Sequence, residues 1–128
     1  MSIKRIDVVP VYVNDQDKAV EFYVNKLGME TVRDDPMGPD ARWVQVKPKW
    51  AETSVVFVKG FADWTPEKVG GLQSITLWSE NAEATVEELR AQGVEVSQEP
   101  THQPWGMVEV RFKDQDGNEF LLYGPTRN

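Results

Sequence analysis

The sequence contains two corresponding short segments, Leu27-Gly28-Met29-Glu30 and, 65 positions later, Gln92-Gly93-Val94-Glu95, which share the glycine and the glutamate. In both copies the glycine follows an amphipathic stretch and precedes a run typical of a strand, which indicates a left-handed helix C-cap. One such unit cannot cover both faces of its sheet, whereas two copies can. The segment therefore predicts a fold made of one unit repeated.

The first copy of the unit predicts a strand, a helix and three further strands. The turn at residues 14–17 offers carboxylates as helix N-caps, and Ala19, Phe22, Tyr23 and Leu27 then form an apolar helical stripe. Residues 34–40 are interpreted as a loop, because their prolines and glycine cannot continue a ladder. The predicted strands are Ile3–Val13, Met29–Arg33, Arg42–Lys47 and Thr53–Lys59.

The second copy predicts the same order of elements after a linker. Its helix covers Ala82–Gln92 behind an Asn81 cap, and residues 99–104 are interpreted as a loop. An Asp-Gly turn at residues 114–117 joins the last two strands. The predicted strands are Leu72–Ser79, Val94–Ser97, Met107–Phe112 and Asn118–Tyr123. The whole is a single α+β domain of two βαβββ modules, about residues 1–60 and 72–124 with a linker at 61–71, forming a cupped mixed sheet with the helices outside.

The composition excludes several classes of function. The 128 residues carry a formal net charge of −7, no cysteine and one histidine. Disulfides, thiolate zinc sites and cysteine nucleophiles are therefore excluded, and one imidazole is too few for most catalytic metal sites. So acidic a chain is a poor ligand for a nucleic-acid backbone.

The sequence also lacks the features of a membrane protein. No segment reaches the ~18–20 consecutive apolar residues that span a bilayer. The first residues run directly into alternating sequence without the apolar core of a signal peptide. We therefore predict a cytoplasmic protein with no nucleic-acid or membrane partner.

Two motifs resemble those of a known family. The run from Asn14 to Met29 looks like the first-helix signature of the vicinal oxygen chelate superfamily, which includes glyoxalase I, bleomycin-resistance proteins and extradiol dioxygenases. Residues 112–120, FKDQDGNEF, resemble its C-terminal hallmark, usually written with proline where Gln115 stands. Pro104-Trp105-Gly106 is similar to a segment of bacterial members. The resemblance covers nearly the whole chain, but it does not specify the chemistry.

The resemblance implies a cavity that is commonly shared between the subunits of a homodimer. Metal-dependent members place a His or Glu ligand on each of four strands, at positions that correspond here to Val8, Val56, Ser74 and Leu121. Three of these side chains are aliphatic and the fourth is a hydroxyl, whereas a divalent cation needs converging imidazoles or carboxylates. We therefore expect a cavity without a metal or another cofactor.

Strand alternation predicts which side chains face the interior. If Val8 faces inward, so does Tyr12; Ser74, Thr76 and Trp78 do so on the next module's first strand, and Tyr123 on its last. The five tryptophans exceed what so small a core needs, and Trp105 and Gln103 lie near the expected mouth. These residues either line a small-molecule pocket or fill the interior, and the tryptophans either contact a ligand or pack an interface. The predicted ligand-binding set is Tyr12, Ser74, Thr76, Trp78, Gln103, Trp105 and Tyr123.

Few residues are candidates for catalysis. Glu109 and Arg111 share a strand face, so Glu109 either acts as a base, forms an ion pair with its neighbour or lies with it at a solvated edge. Tyr12 is a second weak candidate. His102 is predicted in a loop without an evident partner, which favours a solvated side chain.

Three functions are compatible with these features. The favoured one is non-covalent binding of an aromatic or amphipathic small molecule in a metal-free cavity, as the likeness to bleomycin-resistance proteins implies. The alternative is a glyoxalase- or dioxygenase-like enzyme (lyase, isomerase or oxygenase), with unrecognised metal ligands or without a cofactor. A structural interaction module would leave the cavity unexplained.

Overall fold

The computed structural model describes residues 1–126 and contains eight strands, two α-helices and a short 3₁₀ helix in that range. It divides into two compact units, Met1–Gly70 and Gly71 onward, which we call the first and second units. No helix in the described residues is long and apolar enough to cross a membrane. The first unit comprises β1 (Val8–Tyr12), α1 (Gln16–Asn25), β2 (Glu30–Pro36), β3 (Arg42–Lys47) and β4 (Ser54–Val58), with the 3₁₀ helix at Pro66–Lys68. The second comprises β5 (Gly71–Trp78), α2 (Ala82–Ala91), β6 (Glu95–His102), β7 (Met107–Lys113) and β8 (Asn118–Pro125).

The two units have the same topology. The strand order is β1-β4-β3-β2 in one sheet and β5-β8-β7-β6 in the other, with one parallel pair and two antiparallel pairs in each. The prediction of an α+β fold with two βαβββ modules is confirmed.

Both helices begin and end as the sequence predicted. Asp15 and Asn81 are the N-caps, and their side chains accept hydrogen bonds from the backbone N–H groups of Lys18 and Ala84. Gly28 and Gly93 follow the helices with φ of +73° and +79°, a backbone conformation that favours glycine. The repeated segment therefore ends a helix at both positions.

Each helix covers one face of its own sheet. In the first unit Phe22 and Tyr23 are buried, and the Tyr23 ring packs edge-on against Phe57 at 4.7 Å between centroids. In the second unit Val86 and Leu89 are buried with the stacked rings of Phe112 and Phe120. Within residues 1–126, the opposite face of each sheet carries no α-helix of its own unit.

Two strands extend well into segments predicted as loops, and both contain proline. β2 continues through Pro36 and β6 continues through Pro100 to His102, where loops were expected. Both strands lie at the edge of their sheets and contain register shifts. Proline is tolerated there because the outward side of an edge strand needs no backbone donor.

The first strand is shorter than predicted. β1 begins at Val8, and residues 3–7 lie outside the strands. Two hydrogen bonds still hold this segment beside β4, from the Thr53 hydroxyl to the Ile6 carbonyl at 2.6 Å and from the Ser54 N–H to the Asp7 carbonyl at 2.9 Å. The side chains of Ile3 and Ile6 remain exposed to solvent, although the alternation had placed both residues in the first strand.

Candidate functional site

The face of the second sheet opposite α2 carries most of the residues predicted to bind a ligand; we call it the second open face. Along β8, Phe120 and Leu122 are buried towards the helix, whereas Leu121 and Tyr123 are only half-buried. Along β5, Ser74, Thr76 and Trp78 are exposed and alternate with half-buried side chains. The side chains that the alternation placed on one face therefore lie opposite the helix, and Ser74, Thr76 and Trp78 are exposed there.

Strand register places an aromatic and an acidic side chain side by side on this face. Trp78 is the partner of Tyr123 across β5 and β8, and Tyr123 is the partner of Glu109 across β8 and β7. The Tyr123 hydroxyl donates to Glu109 Oε1 at 3.0 Å. Gln98 Nε2 donates to Glu109 Oε2, also at 3.0 Å. Both carboxylate oxygens of Glu109 are thus held by donors.

This network keeps the phenol of Tyr123 protonated. The hydrogen bond to Glu109, followed by burial, raises the pKa of Tyr123 above its ordinary value of 10.0. Tyr123 is therefore a neutral donor near pH 7, and Glu109 is a fixed acceptor. Such a pair orients a ligand better than it removes a proton.

Trp78 provides the apolar part of this face. Its side chain is 55% exposed, and its indole Nε1 donates to Glu80 Oε1 at 3.0 Å. Because the N–H group already has a partner, the exposed part of the ring is chiefly apolar surface.

The expected ion pair between Glu109 and Arg111 is wrong. Arg111 Nη1 lies 3.8 Å from a carboxylate oxygen of Glu119, whose other oxygen accepts a hydrogen bond from Ser97. Arg111 pairs with Glu119 because Glu119 lies on the adjacent strand β8, whereas the carboxylate of Glu109 is hydrogen-bonded to Tyr123 and Gln98. The sequence did not reveal Gln98, because the predicted strand ended at Ser97.

The remaining candidates of the second unit lie in or beside the connection after β6. Gln103 and Trp105 belong to this turn, in which the Gln103 N–H donates to the Met107 carbonyl at 2.8 Å. In the described part of the chain no side-chain hydrogen bond joins either residue to the second open face. His102 is the last residue of β6 rather than part of a loop, and its Nε2 lies 3.5 Å from Glu83 Oε1.

Tyr12 belongs to a polar cluster in the first unit. Its hydroxyl donates to Asp63 Oδ1 at 2.6 Å, and Lys68 Nζ lies 2.7 Å from Asp63 Oδ2. The hydrogen bond to Asp63 raises the pKa of Tyr12, so its phenol is protonated at neutral pH and is no base. The Trp64 indole also donates to the Val13 carbonyl at 3.0 Å. These contacts fix the segment after β4 to the end of β1.

The contribution of Asp63 to the free energy of unfolding should fall as the solution is acidified. Its hydrogen bonds with Lys68 and Tyr12 lower its pKa from 3.8 to about 2. A carboxyl group whose pKa is lower in the folded than in the unfolded state stabilises the fold at pH values above its unfolded-state pKa. This stabilisation is lost as the pH falls towards 2. The variant Asp63→Asn should therefore unfold at lower urea concentration than the wild type near pH 7, with the difference vanishing near pH 2.

Asp40→Asn is the control for this measurement, since Asp40 is exposed and has no ion pair within residues 1–126. Urea midpoints at several pH values give the comparison. A deficit of Asp63→Asn that persists unchanged at pH 2 would show that the carboxylate charge is not its cause.

The described residues do not fit a metal centre. No group of three or more His, Cys, Asp and Glu side chains in the described range could hold a metal ion. At the positions implied by the resemblance, Val8, Val56 and Leu121 have no donor atom and Ser74 has only a hydroxyl.

Comparisons with known proteins agree with the fold. The profile of the Glyoxalase/Bleomycin resistance protein/Dioxygenase superfamily matches residues 5–122. YetH of Bacillus subtilis (strain 168), an uncharacterized protein, is 42% identical over 121 residues, which cover 94% of this chain and 98% of that protein.

Two solved structures are similar over nearly their full length. A superfamily member from Sphaerobacter thermophilus DSM 20745 is 34% identical with a TM-score of 0.87, over 97% of this chain and 99% of that one. TnmS3, an antibiotic binding protein from Streptomyces sp. CB03234, is 37% identical with a TM-score of 0.83, over 98% and 99% of the two chains. The chain belongs to the glyoxalase/bleomycin resistance protein/dioxygenase superfamily, the vicinal oxygen chelate proteins that its two motifs resemble.

Proposed function

We propose that this protein binds an aromatic or amphipathic small molecule without a metal or cofactor, and that the second open face provides the principal contacts. The observation that carries the proposal is the row formed by Trp78, Tyr123, Glu109 and Gln98. It joins an exposed indole to a carboxylate already fixed by two donors. Pockets for small molecules combine such aromatic surface with a few oriented polar groups.

The comparison with TnmS3 supports the same function. That protein is an antibiotic binding protein and is 37% identical to this chain over almost all of its length. The ligand chemistry of this chain need not be the same, because binding residues vary within one fold.

The residues give less support to an enzyme. Both tyrosines with a raised pKa are held as donors to carboxylates, and both oxygens of Glu109 accept hydrogen bonds. The two tyrosines, held as protonated donors, are not arranged to take a proton from a substrate, and Glu109 is oriented by Tyr123 and Gln98 as an acceptor.

Trp78→Ala should weaken binding about tenfold, the effect of losing roughly 1.4 kcal/mol of aromatic contact. The assay uses the fluorescence of N-phenyl-1-naphthylamine, a neutral aromatic reporter, and its displacement by neutral, cationic and anionic naphthalene derivatives. Trp50→Ala is the matched control, because Trp50 is 88% exposed and lies in the first unit outside the strands. Equal weakening by the two variants, or no saturable binding of any compound, would contradict the proposal.

The other contacts and the assembly are part of the same proposal. Ser74 and Thr76 border the row on β5 and are proposed as secondary contacts; Tyr12, Gln103 and Trp105 stay predictions from the sequence. A cytoplasmic homodimer also stays a prediction, and sedimentation equilibrium tests its oligomeric state.

A further inference from the structure

We propose that the Asp116-Gly117 pair is this protein's site of isoaspartate formation, and that Asp114 delays the reaction by holding the surrounding turn closed. Of the nine glycines in the sequence, Gly117 alone follows an aspartate or an asparagine. Because glycine has no Cβ, the aspartate carboxyl can approach the backbone nitrogen of the next residue with little steric obstruction. The sequence therefore offers one position at which this modification is favoured.

The reaction rearranges the backbone without an oxidant or a second substrate. The Gly117 nitrogen attacks Cγ of Asp116, a C–N bond forms, and the carboxyl hydroxyl leaves as water with the amide proton. The product is a cyclic succinimide, which water then opens at either carbonyl. Opening at the former main-chain carbonyl of Asp116 gives isoaspartate, in which the main chain runs through Cβ and Cγ and is one atom longer.

The turn needs this glycine for its backbone conformation. Gly117 has a φ of +77°, in the left-handed region that favours glycine, and nothing lies within 4 Å of the position that a Cβ would take. The conformation, rather than a shortage of space, therefore requires glycine here. Since another residue would strain the turn, protection of the pair depends on the neighbouring groups.

Hydrogen bonds fix both members of the reacting pair. The Gly117 N–H donates to the Asp114 carbonyl at 3.1 Å, and the Gly117 carbonyl accepts from the Gly71 N–H at 3.2 Å. Asp116 Oδ2 accepts from Gln115 Nε2 at 3.0 Å. The hydrogen bond from Gly117 to Asp114 opposes both the loss of the amide proton and the rotation that ring closure requires. The reaction therefore requires the turn to open.

Asp114 is the residue that keeps the turn closed. It is 7% exposed, and its Oδ1 accepts from the backbone N–H groups of Asp116 and Asn118 at 2.8 and 3.0 Å. Its own N–H donates to the Asn118 carbonyl at 2.9 Å. These hydrogen bonds lie on both sides of the reacting pair, so opening the turn breaks several of them together. Such a local opening has its own free energy, and only the open fraction reacts.

The closed turn is poorly suited to isoaspartate. The additional main-chain atom falls between the N–H groups of Asp116 and Asn118, which share Asp114 Oδ1. Asn118 is fully buried and begins β8, which pairs with β7 directly before the turn. The modified chain should therefore unfold at lower urea concentration than the unmodified one. The inference concerns this turn alone and is independent of the function proposed for the second open face.

The test follows isoaspartate in the full-length protein during storage near neutral pH. Trypsin releases a peptide that begins at Asp114, and enzymatic methylation of isoaspartyl carboxyl groups reports the modification in that peptide. Storage in ¹⁸O-labelled water should label the same peptide, because water opens the succinimide. The folded wild type should react about a hundredfold more slowly than the wild type in guanidinium chloride, since only open turns react.

Two variants separate the role of Asp114 from the stability of the whole unit. Asp114→Ala removes the acceptor of the turn, whereas Gly124→Ala destabilises the second unit at the other end of β8. Asp114→Ala should form isoaspartate about tenfold faster than Gly124→Ala. Asp114→Asn keeps an acceptor for the backbone groups and should react faster than the wild type but more slowly than Asp114→Ala, which provides the comparison if the alanine variant does not fold.

A third variant verifies the position of the reaction. Asp116→Glu moves the carboxyl group one carbon further from the Gly117 nitrogen and should abolish the signal in the peptide that begins at Asp114. A signal that survives in this variant, or that appears first in another peptide, would place the reaction elsewhere. Equal rates for Asp114→Ala and Gly124→Ala, or for the folded and the unfolded wild type, would show that Asp114 gives no protection. The absence of isoaspartate from the unfolded chain would overturn the site itself.

Discussion

Gly124→Ala should destabilise the protein by about 3 kcal/mol, the upper part of the range for a side chain forced into a packed site. A Cβ atom on Gly124 would lie 2.5 Å from the Ser79 carbonyl oxygen and 3.1 Å from the Ala82 Cβ. The nearest atom belongs to the backbone, so it cannot turn away as a flexible side chain could. The start of α2 would have to move from β8, which breaks the packing of the second unit.

Thermal and urea unfolding both measure this effect, and a chain of this length should lose roughly 10 °C in Tm. Gly38→Ala is a useful control, since Gly38 has a φ of +78° with nothing within 4 Å of the added Cβ. That variant should lose only about 1 kcal/mol, the backbone cost of a left-handed alanine. If the two variants lose the same amount, steric contact at Gly124 is not the cause.

Asp114→Ala should cost about 3 kcal/mol by removing the acceptor that holds the last turn together. Asp114 Oδ1 accepts from the backbone N–H groups of Asp116 and Asn118 at 2.8 and 3.0 Å, and its Oδ2 accepts from Asn118 Nδ2 at 2.9 Å. Asn118 is fully buried. The variant therefore removes an acceptor from a side chain that is shielded from bulk water.

The conservative variant Asp114→Asn separates the contributions of the two oxygens. It keeps an acceptor for the backbone groups but turns an amide nitrogen towards Asn118 Nδ2, so we expect a loss between that of Asp114→Ala and zero. Urea unfolding of the three proteins gives the order. A loss for Asp114→Asn as large as for Asp114→Ala would mean that the backbone hydrogen bonds contribute little.

The helices were predictable because local signals determine where they begin and end. Asp15 and Asn81 cap their helices, and Gly28 and Gly93 end them, without help from distant residues. The edge strands were not predictable from local signals, because proline is excluded from a strand only where its missing donor faces a neighbour. Whether β2 and β6 lie at an edge is a property of the whole sheet.

The candidate site was predictable only in part, for a related reason. Period-two alternation correctly placed Trp78 and Tyr123 on the sheet face opposite the side chains packed on the helix, since that depends on one strand alone; their predicted role in a pocket stays a prediction. The partners of Glu109 depend on register across three strands, so Gln98 was missed and Arg111 was assigned to the wrong carboxylate.

The prolines of the edge strands affect whether copies of this chain can associate through backbone pairing. The edge strands of a sheet present unpaired backbone groups that can pair with another copy while the chain is synthesised or when it is concentrated. Three of the four edge strands contain proline, namely β1 with Pro10, β2 with Pro36 and β6 with Pro100. A fibril growing by backbone pairing would therefore meet an interrupted ladder at each of them. Among the edge strands of the two described sheets, β5 alone contains no proline, so this protection is missing from that strand.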